Sequence, residues 1–291
     1  MVIGSVETLI QLAHDNNSSI GQVMVKQEAA LKQISEEDVL AKMKHNSQLM
    51  KESIATGIKN PQKSKGGLIG GEGRRLYDYC QGEKGLLSGL NVMEAVSYAL
   101  AVAEVNATMG RIVACPTAGS CGIVPGVLKK IQEMDDLSDD QIALALMTCA
   151  GIGMVIAHRA SVSGAVGGCQ AECGAASAMA AAAAVELRGG TPEQAGEACA
   201  MVIKNVMGLV CDPVAGLVEV PCAKRNALGA SLAMVMADMA LAGITSVIPV
   251  DEVITAMGSV GRSLPETLRE TARGGVAVTP TGLELNRKIF G

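Results

Sequence analysis

The chain has 291 residues, 49% of them apolar and 18% charged, with 24 basic and 29 acidic side chains and a formal charge of −5. That balance supplies a sizeable core and excludes wholesale disorder. One Phe, three Tyr and no Trp leave few rings for stacking bases, and a net negative charge sets up no field for nucleic acid, so nucleic-acid binding is excluded.

The first 17 residues show no basic n-region followed by a long apolar run, so no secretory signal is expected. The longest apolar stretch, residues 142–157, is shorter than a bilayer span and is followed at once by His158 and Arg159. It reads as a buried helix, and a cytoplasmic location follows with no membrane partner. Residues 1–60 are expected to form two or three amphipathic helices that pack on the main body or on a partner. Val23, Leu31, Val39, Leu40, Met43 and Met50 recur there at helical spacing. Ser35 before Glu36, Glu37 and Asp38 reads as a helix start. The glycine loop Lys65–Gly73 offers backbone donors for an anion or serves as a plain linker; its spacing fits no nucleotide-binding fingerprint.

Residues 61–291 are expected to form one helical domain. The small residues let helices approach closely, and Met fills irregular gaps. The pattern predicts helices over 88–109, 122–134, 139–157, 169–187 and 223–242. A further helix opens at Thr191-Pro192-Glu193, with cap, N1 proline and early acid. Shorter helices are expected over 251–260 and 265–271. Strand signals are limited to a β-branched cluster at 244–250. The fold class is therefore all-α: a compact bundle of apolar helices whose glycine- and proline-rich loops carry the chemistry.

Nine cysteines, an odd number, in a reducing compartment point away from disulfides. Cys149 and Cys199 lie inside apolar helical runs and read as core residues. The others sit in or beside loops. Residues 115–122 place Cys115, Thr117, Ser120 and Cys121 just before a helix start, a setting suited to a carboxylate or phosphate. Cys169 ends a glycine loop, and Cys173 lies one helical turn on; both, or Cys169 alone, could ligate a metal. Cys211 and Cys222 each have a proline within two residues, which stiffens the backbone. No pair is a CxxC, so spacing alone leaves metal binding and packing both open.

The segments CPTAGSCGIVPGVL, SGAVGGCQAECG, GLVCDPVAGLVEVPCAKRNA and ETARGGVAV resemble, in order over residues 65–280, the iron–sulfur-dependent L-serine dehydratases (L-serine ammonia-lyases). The likeness is closest to the separate α subunit of the two-subunit form. The resemblance implies a [4Fe–4S] cluster on Cys169, Cys211 and Cys222, with Cys115, Cys121 and Cys173 left to support or packing. It implies an iron with an open position, acting as Lewis acid on the serine hydroxyl, and conversion of L-serine to pyruvate and ammonia. It points to the loop with Thr117 and Ser120 for substrate contacts, and to Arg225 and Arg273 as partners of a carboxylate or of the structure.

The resemblance further implies a β subunit, in an αβ or higher assembly, that contributes a histidine, so that this chain alone is inactive. Its own histidines, His14, His45 and His158, are not expected to serve as the base. The polar N-terminal helices are expected to form part of the β-subunit contact. Two departures stand out. The last eleven residues hold no cysteine to cap an open iron, so oxygen sensitivity is expected. The first loop reads Thr-Ala-Gly-Ser where many single-chain relatives carry Thr-Asn-Gly. Competing readings are β-elimination from threonine or cysteine, a zinc-binding helical interaction module, and a pyridoxal phosphate enzyme using Lys65.

Overall fold

A computed structural model describes residues 3–82 and 85–291. In chain order the helices are α1 (Val6–Asp15), α2 (Ile20–Lys32), α3 (Glu36–Lys59), α4 (Glu72–Cys80), α5 (Leu90–Ala107), α6 (Ile123–Asp135), α7 (Asp139–Arg159), the single turn α8 (Gly164–Gly167), α9 (Ala175–Leu187), α10 (Pro192–Val206), α11 (Cys222–Leu241), α12 (Val250–Ser263) and α13 (Pro280–Phe290). No strand occurs among the described residues; an isolated bridge joins Cys211 and Arg269. The all-α expectation holds.

Two helices form the centre. The alanine-rich α9 is buried on every side, between α7, α10, α11 and α6. The second, α5, is wrapped by α3, α4, α6 and α11. Small residues make this second packing possible. A Cβ on Gly57 of α3 would lie 2.4 Å from the Ala101 carbonyl oxygen, and one on Gly73 of α4 would lie 2.7 Å from the Ala101 nitrogen. Helix backbones thus meet with no side chain between them, which recovers the dispersion contacts that the few aromatics cannot supply.

The N-terminal region forms three helices. The expected start at Ser35 is present: its hydroxyl accepts from Asp38 N, and Asp38 answers as a capping box. These helices lie on the body, α2 and α3 along α7, α3 along α5, and α1 against α10. Acids from elsewhere in the chain hold their ends. Asp251 accepts from Val6 N and Glu7 N, each at 3.0 Å. Glu186 accepts from Ile20 N at 2.6 Å, Gly21 N at 3.4 Å and Thr148 Oγ1 at 2.5 Å.

Helix α7 runs to Arg159 and is long and apolar enough to cross a membrane, longer than the stretch read from sequence. Yet 67% of its most apolar window is buried inside the fold, so it serves as a core helix. The β-branched cluster at 244–250 forms no strand: it is a turn in which Val247 has φ +68° and Lys204 Nζ donates to the Ser246 carbonyl. The helix expected over 265–271 shrinks to one 3-10 turn at Glu266–Leu268. Beyond it Arg269 bridges to Cys211 and Glu270 takes a φ of +64°, and Glu270 N donates to the Cys211 carbonyl at 2.7 Å.

Gly57→Val should lower stability by ~1–3 kcal/mol, because nothing at Ala101 but backbone can yield. Gly4→Ala, with no atom within 4 Å of the new Cβ, should be near neutral. Denaturant unfolding of the two variants checks both.

Candidate functional site

All nine cysteines are free thiols; eight are buried and Cys222 is half-buried. Three loops bring Cys169, Cys211 and Cys222 together. Cys169 follows Gly168, whose φ of +76° and close approach to the Leu209 carbonyl require glycine. It immediately precedes a π-turn over Gln170–Gly174 that leads into α9. Gln170, fully buried, ties this turn to the neighbouring loop: its Oε1 accepts from Gly208 N at 2.8 Å, and its Nε2 donates to the Met257 carbonyl at 3.1 Å. Cys222 is the first residue of α11. Cys211 is clamped by residues 268–270, donating its N–H to the Leu268 carbonyl at 2.9 Å and accepting from Glu270 N.

The electrostatics of the three thiols differ. The Cys173 thiol donates to Cys169, which holds Cys169 below the usual thiol range, with Arg225 adding to the effect; the same bond and burial push Cys173 well up. Burial pushes Cys222 up to about 12, and the charges of Cys169 and Glu172 add to it. Cys211 is also raised, by burial first and then by the charges of Cys169, Glu172, Cys222 and Glu270. Cys115 and Cys121 are each pushed by burial up to about 12 and belong to the packing around the first loop.

One buried cation faces this group. Arg225 feels the charges of Cys169 and Cys222, and its Nη2 donates to Asp212 Oδ1 at 2.7 Å. The pair is only 13% and 4% exposed. Asp212 Oδ2 accepts from Val276 N at 2.7 Å. A Cβ on Gly275 would fall 2.1 Å from that oxygen, so the glycine pair of ETARGGVAV lets the backbone reach Asp212. Arg225 Nη1 is buried with no hydrogen-bond partner.

The first loop closes the other side. Thr117 Oγ1 donates to Glu172 Oε1 at 2.7 Å and lies 3.2 Å from Ser120 Oγ. Ser120 is fully buried, and its hydroxyl donates to the Cys115 carbonyl. Asn226 joins this loop to the Cys222 helix: its Nδ2 donates to the carbonyls of Gly119 at 2.8 Å and Cys222 at 2.9 Å, and its Oδ1 accepts from Gly122 N at 2.9 Å. Donor atoms of Glu172, Cys211 and Glu270 lie within 4.8 Å of one another, close enough to hold a metal ion. Burial lifts the Glu172 carboxyl above the ordinary carboxylate range, partly offset by Thr117 and reinforced by Glu270.

The structure thus gathers Cys169, Cys211, Cys222, Thr117, Ser120 and Arg225. Arg273 lies elsewhere, paired with Glu266 at the surface. His14 pairs with Glu193 at the surface, and His45 and His158 are exposed. Glu172, Glu270, Asp212 and Asn226 were not read from the sequence as site residues. Each stands inside a quoted segment, and an acid three residues after Cys169 was the available signal. The glycine loop 65–73 does wrap an anion, and that anion is the protein's own. Glu219 accepts from Ser64 Oγ at 2.5 Å, Gly66 N at 2.7 Å and Leu68 N at 3.1 Å. Lys65 is exposed beside it.

Buried thiols, one buried guanidinium and two carboxylates on an all-helical frame define a thiol-lined enzyme centre able to hold metal. The profile of the serine dehydratase alpha chain family matches residues 15–277. Similar proteins include the L-serine dehydratase alpha chain of Peptoniphilus asaccharolyticus, 41% identical over 99% of both chains. The "Probable L-serine dehydratase, alpha chain" of Bacillus subtilis (strain 168) is 52% identical over 99% of this chain and 95% of its own. The L-serine dehydratase of Streptomyces coelicolor is 35% identical over 94% of this chain but only 60% of its own. The chain belongs to the serine dehydratase alpha chain family and is an enzyme of that class, a lyase.

Asp212→Ala should destabilise the chain by ~3–5 kcal/mol, because it leaves Arg225 buried without its counter-charge. Pairing it with Arg225→Met should recover part of that loss. A double-mutant cycle from denaturant melts gives the coupling.

Proposed function

We propose that this chain is the α subunit of a two-subunit L-serine dehydratase that converts L-serine to pyruvate and ammonia, with a [4Fe–4S] cluster held by Cys169, Cys211 and Cys222. The observation that carries the reading is the convergence of three thiols, two of which, Cys169 and Cys222, act on one largely buried guanidinium whose Nη1 has no partner. The donor set fits. Three thiolates around iron leave an anionic assembly, and Arg225 is the cation placed to offset it. When bound, such a cluster supplies a Lewis-acidic iron with an open position for the substrate hydroxyl.

The chain's own groups account for substrate recognition. Glu172 and Glu270, converging beside Cys211, receive the α-ammonium. The free Nη1 of Arg225 suits the carboxylate. Thr117, bonded to Glu172 Oε1, fixes the rotamer of that carboxylate, and Ser120 holds the loop that carries Thr117. Removal of the Cα proton is assigned to a histidine of the β subunit. The names of the two alpha-chain relatives support such a partner, as does the longer Streptomyces L-serine dehydratase, of which this chain covers only 60%. We place the enzyme in the cytoplasm, since nine unpaired thiols suit a reducing compartment.

The mixed donor set of Glu172, Cys211 and Glu270 favours a second reading, a single zinc ion. Metal and acid-labile sulfide analysis after anaerobic purification separates the two. About four iron and four sulfide per chain support the cluster; zinc without sulfide overturns it.

In the αβ complex, Cys169→Ala, Cys211→Ala and Cys222→Ala should each abolish pyruvate formation and lower bound iron. Undiminished activity in all three would remove the proposal. Glu172→Gln should raise KM for L-serine about ten-fold or more while iron content stays unchanged. Ratios of kcat/KM on serine, threonine and cysteine fix the substrate.

A further inference from the structure

Helix α11 packs against α9, α5, α10 and α6 and turns its remaining side outward. Its inward positions, Ala230, Ala233 and Ala237 among them, are buried. The outward stripe is apolar where a solvated helix face would be polar. Leu228, Leu232, Val235 and Met239 alternate steps of four and three residues, the spacing of a helix-pairing seam. Leu228 is 49% and Val235 45% exposed, and Leu232 and Met239 are half-buried. Ser231, in the middle of the stripe, already donates its hydroxyl to the Leu228 carbonyl at 2.8 Å, so it can be covered without losing a partner.

The charges at the two ends of the stripe identify what covers it. Lys224 stands in the first turn of α11 and Asp238 in the last. Each is at the unfavourable pole of its own helix, the cation at the positive end and the anion at the negative end. Lys224 is offset by Glu72 at 2.7 Å. The exposed Asp238 carboxylate makes no ion pair or hydrogen bond among the described residues. Against an antiparallel second copy, each charge lies beside the opposite pole and the opposite charge. A two-fold axis between Ser231 and Leu232 sets Leu228 opposite Val235 of the second copy. The same axis brings Lys224 within one residue of the position facing Asp238 of the second copy.

Shape obeys the same symmetry. A cavity of about 250 Å³ borders the C-terminal half of the stripe, walled by Met234, Asp238 and Leu241 of α11 and by Leu90 and Met134 across it. Leu228 projects from the N-terminal half. In an antiparallel pair the N-terminal half of one helix lies over the C-terminal half of the other, so projection meets hollow twice. A parallel pair would set like charges together and hollow against hollow. We propose that this face binds a second copy of the chain, the two α11 helices pairing antiparallel about that axis. The assignment does not depend on the iron–sulfur reading of the thiols.

Light scattering of the full chain across a dilution series tests it. The chain should scatter at twice its 29.7 kDa and dissociate on dilution. Val235→Lys and Leu228→Glu, both at exposed positions, should each weaken self-association about a hundred-fold or more, with helix content by circular dichroism unchanged. An equimolar mixture of the two variants should return to twice the mass. One seam contact of the mixed pair is then native, and in the other the two introduced charges meet. The proposal is overturned if both variants still self-associate, or if their mixture stays apart, which would put the contact elsewhere or in another register. It also falls if the full chain stays at the mass of one chain; loss of β-subunit binding by Val235→Lys would then give the face to that partner. Should either variant lose helix content, Asp238→Arg, a surface change that sets two cations face to face, takes its place and should weaken association several-fold.

Discussion

The Asp212–Arg225 ion pair is the interaction on which the site depends. Removing two charges from water is costly, and a buried pair repays that cost only when the remaining lone pairs are satisfied. Here the second oxygen of Asp212 takes Val276 N–H. A single carboxylate therefore ties the segment of Cys211 to the segment of Cys222 and both to the loop 270–278. The loop 270–278 lies far from the other two in sequence, and the three share no helix. Asn226 repeats the device one residue further along, binding the Thr117 loop to the same end of α11.

Acids as internal clamps recur across the molecule. Asp251 holds the start of α1, Glu186 the start of α2, Glu104 the start of α4, and Glu219 the glycine loop before α4. The first three place an acid where free N–H donors and the positive end of a helix accumulate; Glu219 does the same for the free N–H donors of the loop. The body is built from alanine and glycine surfaces that slide easily past one another, and directional bonds of this kind fix the register. Small-residue packing supplies the density, and the buried carboxylates supply the geometry.

The long helices were legible because their evidence is local. Thr191-Pro192 and Ser35 announce helix starts, and apolar runs mark α7 and α9. What sequence reading missed depended on distant groups. Helix α4 has no cap of its own; its cap is Glu104, more than thirty residues later. Residues 265–271 look helical, yet after one 3-10 turn they bend through a left-handed Glu270 to pair with Cys211. Helix α13 is different, since Thr279-Pro280 is a local start signal that went unused. At the site, cysteines draw attention by type, whereas Asp212, Glu172 and Asn226 are ordinary polar residues whose roles exist only after folding. The glycine loop illustrates the same limit: its affinity for an anion was legible, and the identity of the anion, Glu219, was not.

The arrangement of signs at the site explains why helices carry it. Cys222 begins α11, Cys169 precedes the turn leading into α9, and Gly122 stands at the start of α6. Helix starts carry partial positive charge, which at Cys222 works against the upward push of burial and neighbouring charge without overcoming it. Arg225 adds a full charge on the same side. Among them stand Glu172, in the π-turn that follows Cys169, and Glu270, beside Cys211. The site therefore has its positive pole at Arg225 and its negative one at Glu172 and Glu270, whose carboxylates meet beside Cys211. In the proposed reaction that gradient has a direct use. A serine zwitterion presents a carboxylate and an ammonium on one carbon, and only one orientation satisfies both. Its hydroxyl then has a single place to go, and a substrate that lacked either charge would lose the constraint that puts it there.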